Sequence, residues 1–118
     1  MEAKKRNPAG TNELEKSKSL VIAEIIEYMP NSIVSKAIIK KTTGNVTVLS
    51  SDEGEELGEK TLPYETFVQI IDGVVEIIID EKKYRLKLGE GIVIPANVAH
   101  CINASKQFKM ISTIIKCS

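Results

Sequence analysis

The chain has 118 residues, sixteen Lys plus Arg against sixteen Asp plus Glu, a formal net charge of zero, and 42% hydrophobic residues with 4% aromatics and no tryptophan. That length supports one core of Ile, Val and Leu and excludes a second, while the charge balance argues against a nucleic-acid or membrane-surface binder, which needs a basic excess. One histidine, His100, and two cysteines, Cys101 and Cys117, fall short of the four ligands of a closed zinc site, so an open site would have to recruit carboxylates.

Residues 1–18 are polar, carry Pro8 and Gly10, and show no apolar period, which predicts a flexible tail. Its basic cluster, Lys4, Lys5 and Arg6, reads as solvated. Residues 19–31 form an N-terminal extension, either a strand or a short helix, with Val21 to Ile26 offering an apolar segment for a dimer contact. Leu20 to Ile26 is interrupted by Glu24 and is far too short to span a membrane.

From Ser32 onward strand follows strand. Ile33 to Ile39 leads to the turn Thr43-Gly44-Asn45, after which Val46 and Val48 alternate with Thr47. Residues 51–56 are acidic and read as a solvated loop. Thr66 to Ile71 and Val74 to Ile79 flank Asp72-Gly73, a strong short-range hairpin signal. Tyr84, Leu86 and Leu88 alternate with Arg85 and Lys87 as a half-buried strand. Gly89 and Gly91 bracket a turn, Ile92 to Ile94 form a short strand, and Phe108, Met110 and Ile114 to Lys116 supply the last one. Seven or more such strands predict an all-β sandwich or barrel, because closure removes edges that Ile-rich strands could not safely expose. With two thiols near the C-terminus and no apolar leader, the expectation is a cytoplasmic protein with reduced cysteines. No DNA-reading helix pair is apparent.

The run GEGIVIPANVAH, Gly89 to His100, resembles the second conserved motif of the cupins, in which proline follows glycine by six positions and histidine follows proline by five: Gly89, Pro95 and His100. Gly54 to Gly73 resembles the first motif, and the likeness extends from about Ser32 to Lys116. It is greatest to the small single-domain bacterial cupins. The resemblance implies a double-stranded β-helix, or jelly-roll barrel, over residues 32–118, with both motifs converging on one cavity.

Metal-binding cupins carry two histidines and an acidic or amide ligand in the first motif and one more histidine in the second. In register, the two histidine positions hold Lys60 and Leu62, and the third falls at Thr66 with Glu65 beside it. Period-two alternation turns Glu65 and Thr66 to opposite faces, so one residue decides whether a carboxylate enters the pocket. Only His100 remains as a ligand, and a protonated Lys60 would repel a divalent cation. No tightly bound transition metal is therefore expected, with weak divalent binding through His100, Glu65 and water as the alternative.

Three functions stay open. The first is a metal-free barrel binding a small polar or anionic molecule through Lys60, Leu62, Glu65, Thr66, Phe67 and His100. Another is a small enzyme, an isomerase, lyase or dioxygenase, with His100 and Glu65 as acid and base. The third is an oligomer-forming domain with a vestigial pocket. Tyr64 stands where it could gate the mouth, and Cys101 is expected to point away from the pocket if His100 points in. A homodimer is expected in each case, as small cupins and two-fold symmetry favour it.

Overall fold

The computed structural model describes residues 13–116. Lys4, Lys5, Arg6 and Cys117 lie outside the described residues. Eight strands follow in order: β1 (Ile33–Lys41), β2 (Gly44–Ser51), β3 (Glu56–Lys60), β4 (Glu65–Ile79), β5 (Lys82–Lys87), β6 (Gly91–Ile94), β7 (His100–Asn103) and β8 (Phe108–Ile115). All pairings are antiparallel. One sheet runs β1-β2-β8-β4-β6. The second contains β3, β7, β4 and β5. This is the all-β jelly roll that the strand pattern and motifs imply.

The two sheets share β4, and here the sequence reading needs correction. Asp72-Gly73 does not make a hairpin: β4 continues through it, pairing with β6 and β8 before the bend and with β5 and β7 after it. The register slips between Ile70 and Asp72, and Gly73 takes φ +78°. A side chain there would also meet the neighbouring chain, since a Cβ would sit 2.1 Å from the Gln107 carbonyl oxygen. Glycine is needed for both conformation and close approach, and the result is a corner at which one strand changes sheets. The actual tight hairpin links β4 to β5 through Asp80 and Glu81, both at positive φ as a type I′ turn requires.

Strand alternation builds the core. Along β4, Thr66, Val68 and Ile70 are buried while Glu65, Phe67 and Gln69 are exposed. Val68, Ile70, Val75, Ile77, Ile79, Leu86, Ile94, Ile102, Phe108 and Met110 form one apolar cluster. Leu88 is 65% exposed and Tyr84 37%, so β5 buries only Leu86 of the predicted trio.

Of the two alternatives, strand or short helix, the extension takes the helical one. It makes a single 3-10 turn at Ile22–Glu24 and lies across the outer face of its own barrel. Five hydrogen bonds among the described residues hold it there: Lys36 Nζ to the Ile25 carbonyl, Ser50 Oγ to the Glu27 carbonyl, Lys109 Nζ to the Ala23 carbonyl, Tyr28 Oη to Asp72, and the Asn31 amide to Asp52. Ile26 is buried beneath it, which accounts for Val48 and Ser50 being fully buried on the outward side of β2. Asp52 in the acidic stretch is not merely solvated: its carboxylate accepts from the Asn31 and Glu53 amides and from Gln107 Nε2. Those bonds, the Asn31 amide foremost, hold it below the usual carboxylate range.

Candidate functional site

The two sheets enclose a cavity of about 250 Å³. Its exposed lining residues, Ser35 on β1 and Gly58 and Lys60 on β3, mark the mouth. The buried lining residues are Val68, Ile94, Ile102 and Met110 with two polar members, Thr66 and His100.

Local strand geometry brings the polar groups together. Lys60 and His100 are directly opposed on β3 and β7, so their side chains share the inward face. Ile79 of β4 is the partner of His100 on its other side. The His100 ring contacts the Val98 carbonyl through Nδ1 at 3.4 Å, leaving Nε2 for the cavity. Leu62, in the loop between β3 and β4, is fixed by its carbonyl, which accepts from the Asn97 amide at 2.7 Å. Asn97 sits at φ +63° in the turn after Pro95, so the loops of the two motifs brace one another. Thr66 lies at the start of β4 between Ile94 and Ile114, only 5% exposed.

Of the sequence-derived candidates, the structure therefore collects Lys60, Leu62, Thr66 and His100 on one cavity. Two others are corrected. Glu65 and Phe67 face out of the barrel, with Phe67 42% exposed, because β4 alternates and Thr66 takes the inward position. Glu65 consequently stands opposite in facing to His100 and is not positioned as its acid–base or metal-ligating counterpart. Tyr64 does not line the cavity and instead lies under the Lys116 ammonium, 5.7 Å from the ring centroid. Cys101, expected to point away from the pocket, is a free thiol of intermediate exposure that borders the cavity beside His100.

The sequence reading missed a second polar wall. Asn45, Thr47 and Ser112 also line the cavity, Thr47 and Ser112 as a direct cross-strand pair. Their signal was present as polar positions alternating with Val46 and Val48, but the apolar side of β2 faces outward under the extension.

Two features define what the cavity can do chemically. Thr66 Oγ1 is buried without a hydrogen-bond partner, an arrangement that costs about 1–3 kcal/mol until something fills it. Among the described residues, no Asp or Glu lines the cavity, and no three His, Cys, Asp or Glu side chains gather as a metal-binding group. The formal charge at the mouth is the Lys60 ammonium.

Comparison with known proteins gives one family and several close folds. The family model described as "Cupin domain" matches residues 48–114. A conserved protein of unknown function from Streptococcus pyogenes is 30% identical, with TM-score 0.85 over 91% of this chain and 94% of that one. A cupin 2 conserved barrel domain protein from Leptotrichia buccalis is 34% identical, with TM-score 0.77 over 80% of this chain and 46% of that one. A cupin superfamily protein from Desulfitobacterium hafniense shares the fold at 24% identity and TM-score 0.82, over 90% of this chain and 96% of that one. No curated protein matches. No helix among the described residues is long and apolar enough to cross a membrane.

Proposed function

The chain belongs to the cupin family, and we propose that its barrel binds a small polar or anionic molecule without a tightly held transition metal. The observation that carries this reading is Thr66 Oγ1, an unpartnered buried hydroxyl on a cavity whose one formal charge among the described residues is the Lys60 ammonium. A ligand oxygen would accept from Thr66 and Lys60, and His100 Nε2, the acceptor of a ring whose Nδ1 faces the Val98 carbonyl, would take a hydrogen bond from a donor group of a polar ligand.

The residues present do not fit a transition metal. At the four positions where metal-binding cupins carry ligands, this chain has Lys60, Leu62, Thr66 and His100. One imidazole is a good ligand; an ammonium opposes a cation, and leucine offers no donor. Lysine thus supplies the positive charge that a metal supplies elsewhere.

Catalysis by a His100 and Glu65 pair is not supported, because Glu65 faces outward. His100 alone retains the placement of a proton donor or acceptor toward a bound molecule. A homodimer remains part of the proposal: Ile39, Val46, Thr113, Phe67 and Val93 form one cross-strand row on the outer sheet face, and the extension leaves it partly exposed.

The binding reading is tested by melting temperature in a panel of small anions and neutral polar molecules, using metal-stripped protein and the Lys60→Met variant. At least one anion is expected to raise the wild-type midpoint in a saturable way, with most of the rise lost in the variant. Identical responses in both proteins would show that Lys60 takes no part.

A further inference from the structure

The two walls of the cavity lose their polar groups in the same direction. Rows of directly paired, inward-facing residues cross the first sheet. Beside the loops 61–64 and 95–99 the row is Asn45, Ile114, Thr66 and Ile94. Two residues further along it is Thr47, Ser112, Val68 and Ile92. Two more along, Leu49 and Met110 line the cavity with Ile70 behind them, and the one polar member is Ser35 on the edge strand. On the facing sheet the change is sharper: Lys60, His100 and Ile79 are followed by Leu57, Ile102 and Ile77. The cavity is thus polar at the end carrying Lys60, Thr66 and His100 and, apart from Ser35 at its edge, hydrocarbon-lined at the other.

Charge and size narrow the occupant. With no acidic residue among the described lining residues, a cationic ligand would face only the Lys60 ammonium and is disfavoured. One lysine matches a single negative charge, whereas a dianion would leave one charge without a partner beside the buried lining of Thr66 and Ile94. A carboxylate has two acceptor oxygens, enough to take hydrogen bonds from both Thr66 Oγ1 and Lys60 Nζ. The volume of about 250 Å³ corresponds to roughly eight waters, room for a ligand of about six to eight non-hydrogen atoms. Leu49, Leu57, Ile102 and Met110 form a floor where water finds few partners and hydrocarbon is favoured.

We infer that the ligand is a short aliphatic monocarboxylate, seated with its carboxylate against Lys60 and Thr66 and its hydrocarbon end on the Ile102–Met110 floor. This rests on the binding reading above and adds the chemical class and the orientation.

Calorimetric titration of the full, metal-stripped chain tests it with acetate, butyrate, hexanoate and decanoate, and with butyramide, butylamine, lactate and inorganic phosphate. Affinity is expected to rise from acetate to hexanoate by roughly three- to fourfold per added methylene and to fall at decanoate, which overfills the cavity. Butyrate should bind at least tenfold more tightly than butyramide or butylamine. Lys60→Met, at an exposed position that leaves the fold intact, should weaken butyrate and hexanoate by tenfold or more. Equal affinity for acid and amide, or no dependence on chain length, would overturn the inference. If phosphate binds in a Lys60-dependent way and none of the carboxylates does, the monocarboxylate assignment falls and the binding reading stands; if lactate binds and butyrate and hexanoate do not, the aliphatic tail falls. Absence of binding by every anion would overturn both.

Discussion

Gly73→Ala probes the corner that lets one strand serve both walls of the cavity. Two costs add at this position. The backbone sits at φ +78°, where an L side chain is strained by about 1–2 kcal/mol. The new Cβ would also lie 2.1 Å from the Gln107 carbonyl oxygen and 2.8 Å from Phe108 Cα, both main-chain atoms that cannot rotate away. Relief requires moving the start of β8, where Phe108 is fully buried, so an overpacking cost of about 1–3 kcal/mol applies. The sum is about 2–5 kcal/mol. Gly54 provides the control: its φ is +87°, yet nothing lies within 4 Å of its Cβ position, so Gly54→Ala carries the backbone strain alone. At about 4 °C per kcal/mol for a domain of this size, Gly73→Ala should melt about 8–20 °C below wild type and Gly54→Ala about 4–8 °C below. Urea denaturation followed by circular dichroism gives the free energies directly. Equal losses in the two variants, within about 0.5 kcal/mol, would refute the close-approach argument.

Further outcomes follow from the same contacts. Thr66→Val replaces the unpartnered hydroxyl with a methyl of similar shape, so ligand-free protein should gain about 1 kcal/mol while affinity for a bound anion falls; a loss of stability on denaturant titration would mean the hydroxyl is already satisfied. Tyr28 donates to Asp72, and burial, reinforced by the Asp72 bond and charge, pushes the phenol well above its ordinary value. A raised value means that the bond's contribution is complete below about pH 10, the unfolded value, and wanes as pH rises beyond it. Tyr28→Phe should therefore be about 1 kcal/mol less stable than wild type at pH 7, with the gap closing above pH 10; a gap that stays constant to pH 12 would contradict this linkage.

The legible parts of the fold were those where local pattern and tertiary demand coincide. GEGIVIPANVAH placed Gly89, Pro95 and His100 correctly because a turn and an inward-facing histidine are both short-range features. The alternation of β4 was equally plain, but the choice between Glu65 and Thr66 depended on a register of one residue that only pairing with Ile94 and Ile114 fixes. Asp72-Gly73 misled because a strand corner and a hairpin call for the same glycine at positive φ, and the difference lies in which strands stand alongside. Asp80-Glu81 gave no warning of a type I′ turn, since neither residue is glycine or asparagine. The polar wall of Asn45 and Thr47 was hidden by the extension, whose cover lets the outward face of β2 be the apolar one. A segment read alone cannot show which of its faces another segment will cover.

The central claim, that lysine stands in this barrel where other members hold a metal, is tested most directly by calorimetric titration of Zn²⁺ into chelator-treated protein, wild type beside the Lys60→His/Leu62→His variant. The expected result is no site tighter than about 10 μM in wild type and a new site at least tenfold tighter in the variant, where three imidazoles would converge. A stoichiometric wild-type site of submicromolar affinity would contradict the claim, and a variant with no gain would show that Lys60 and Leu62 do not occupy the ligand positions.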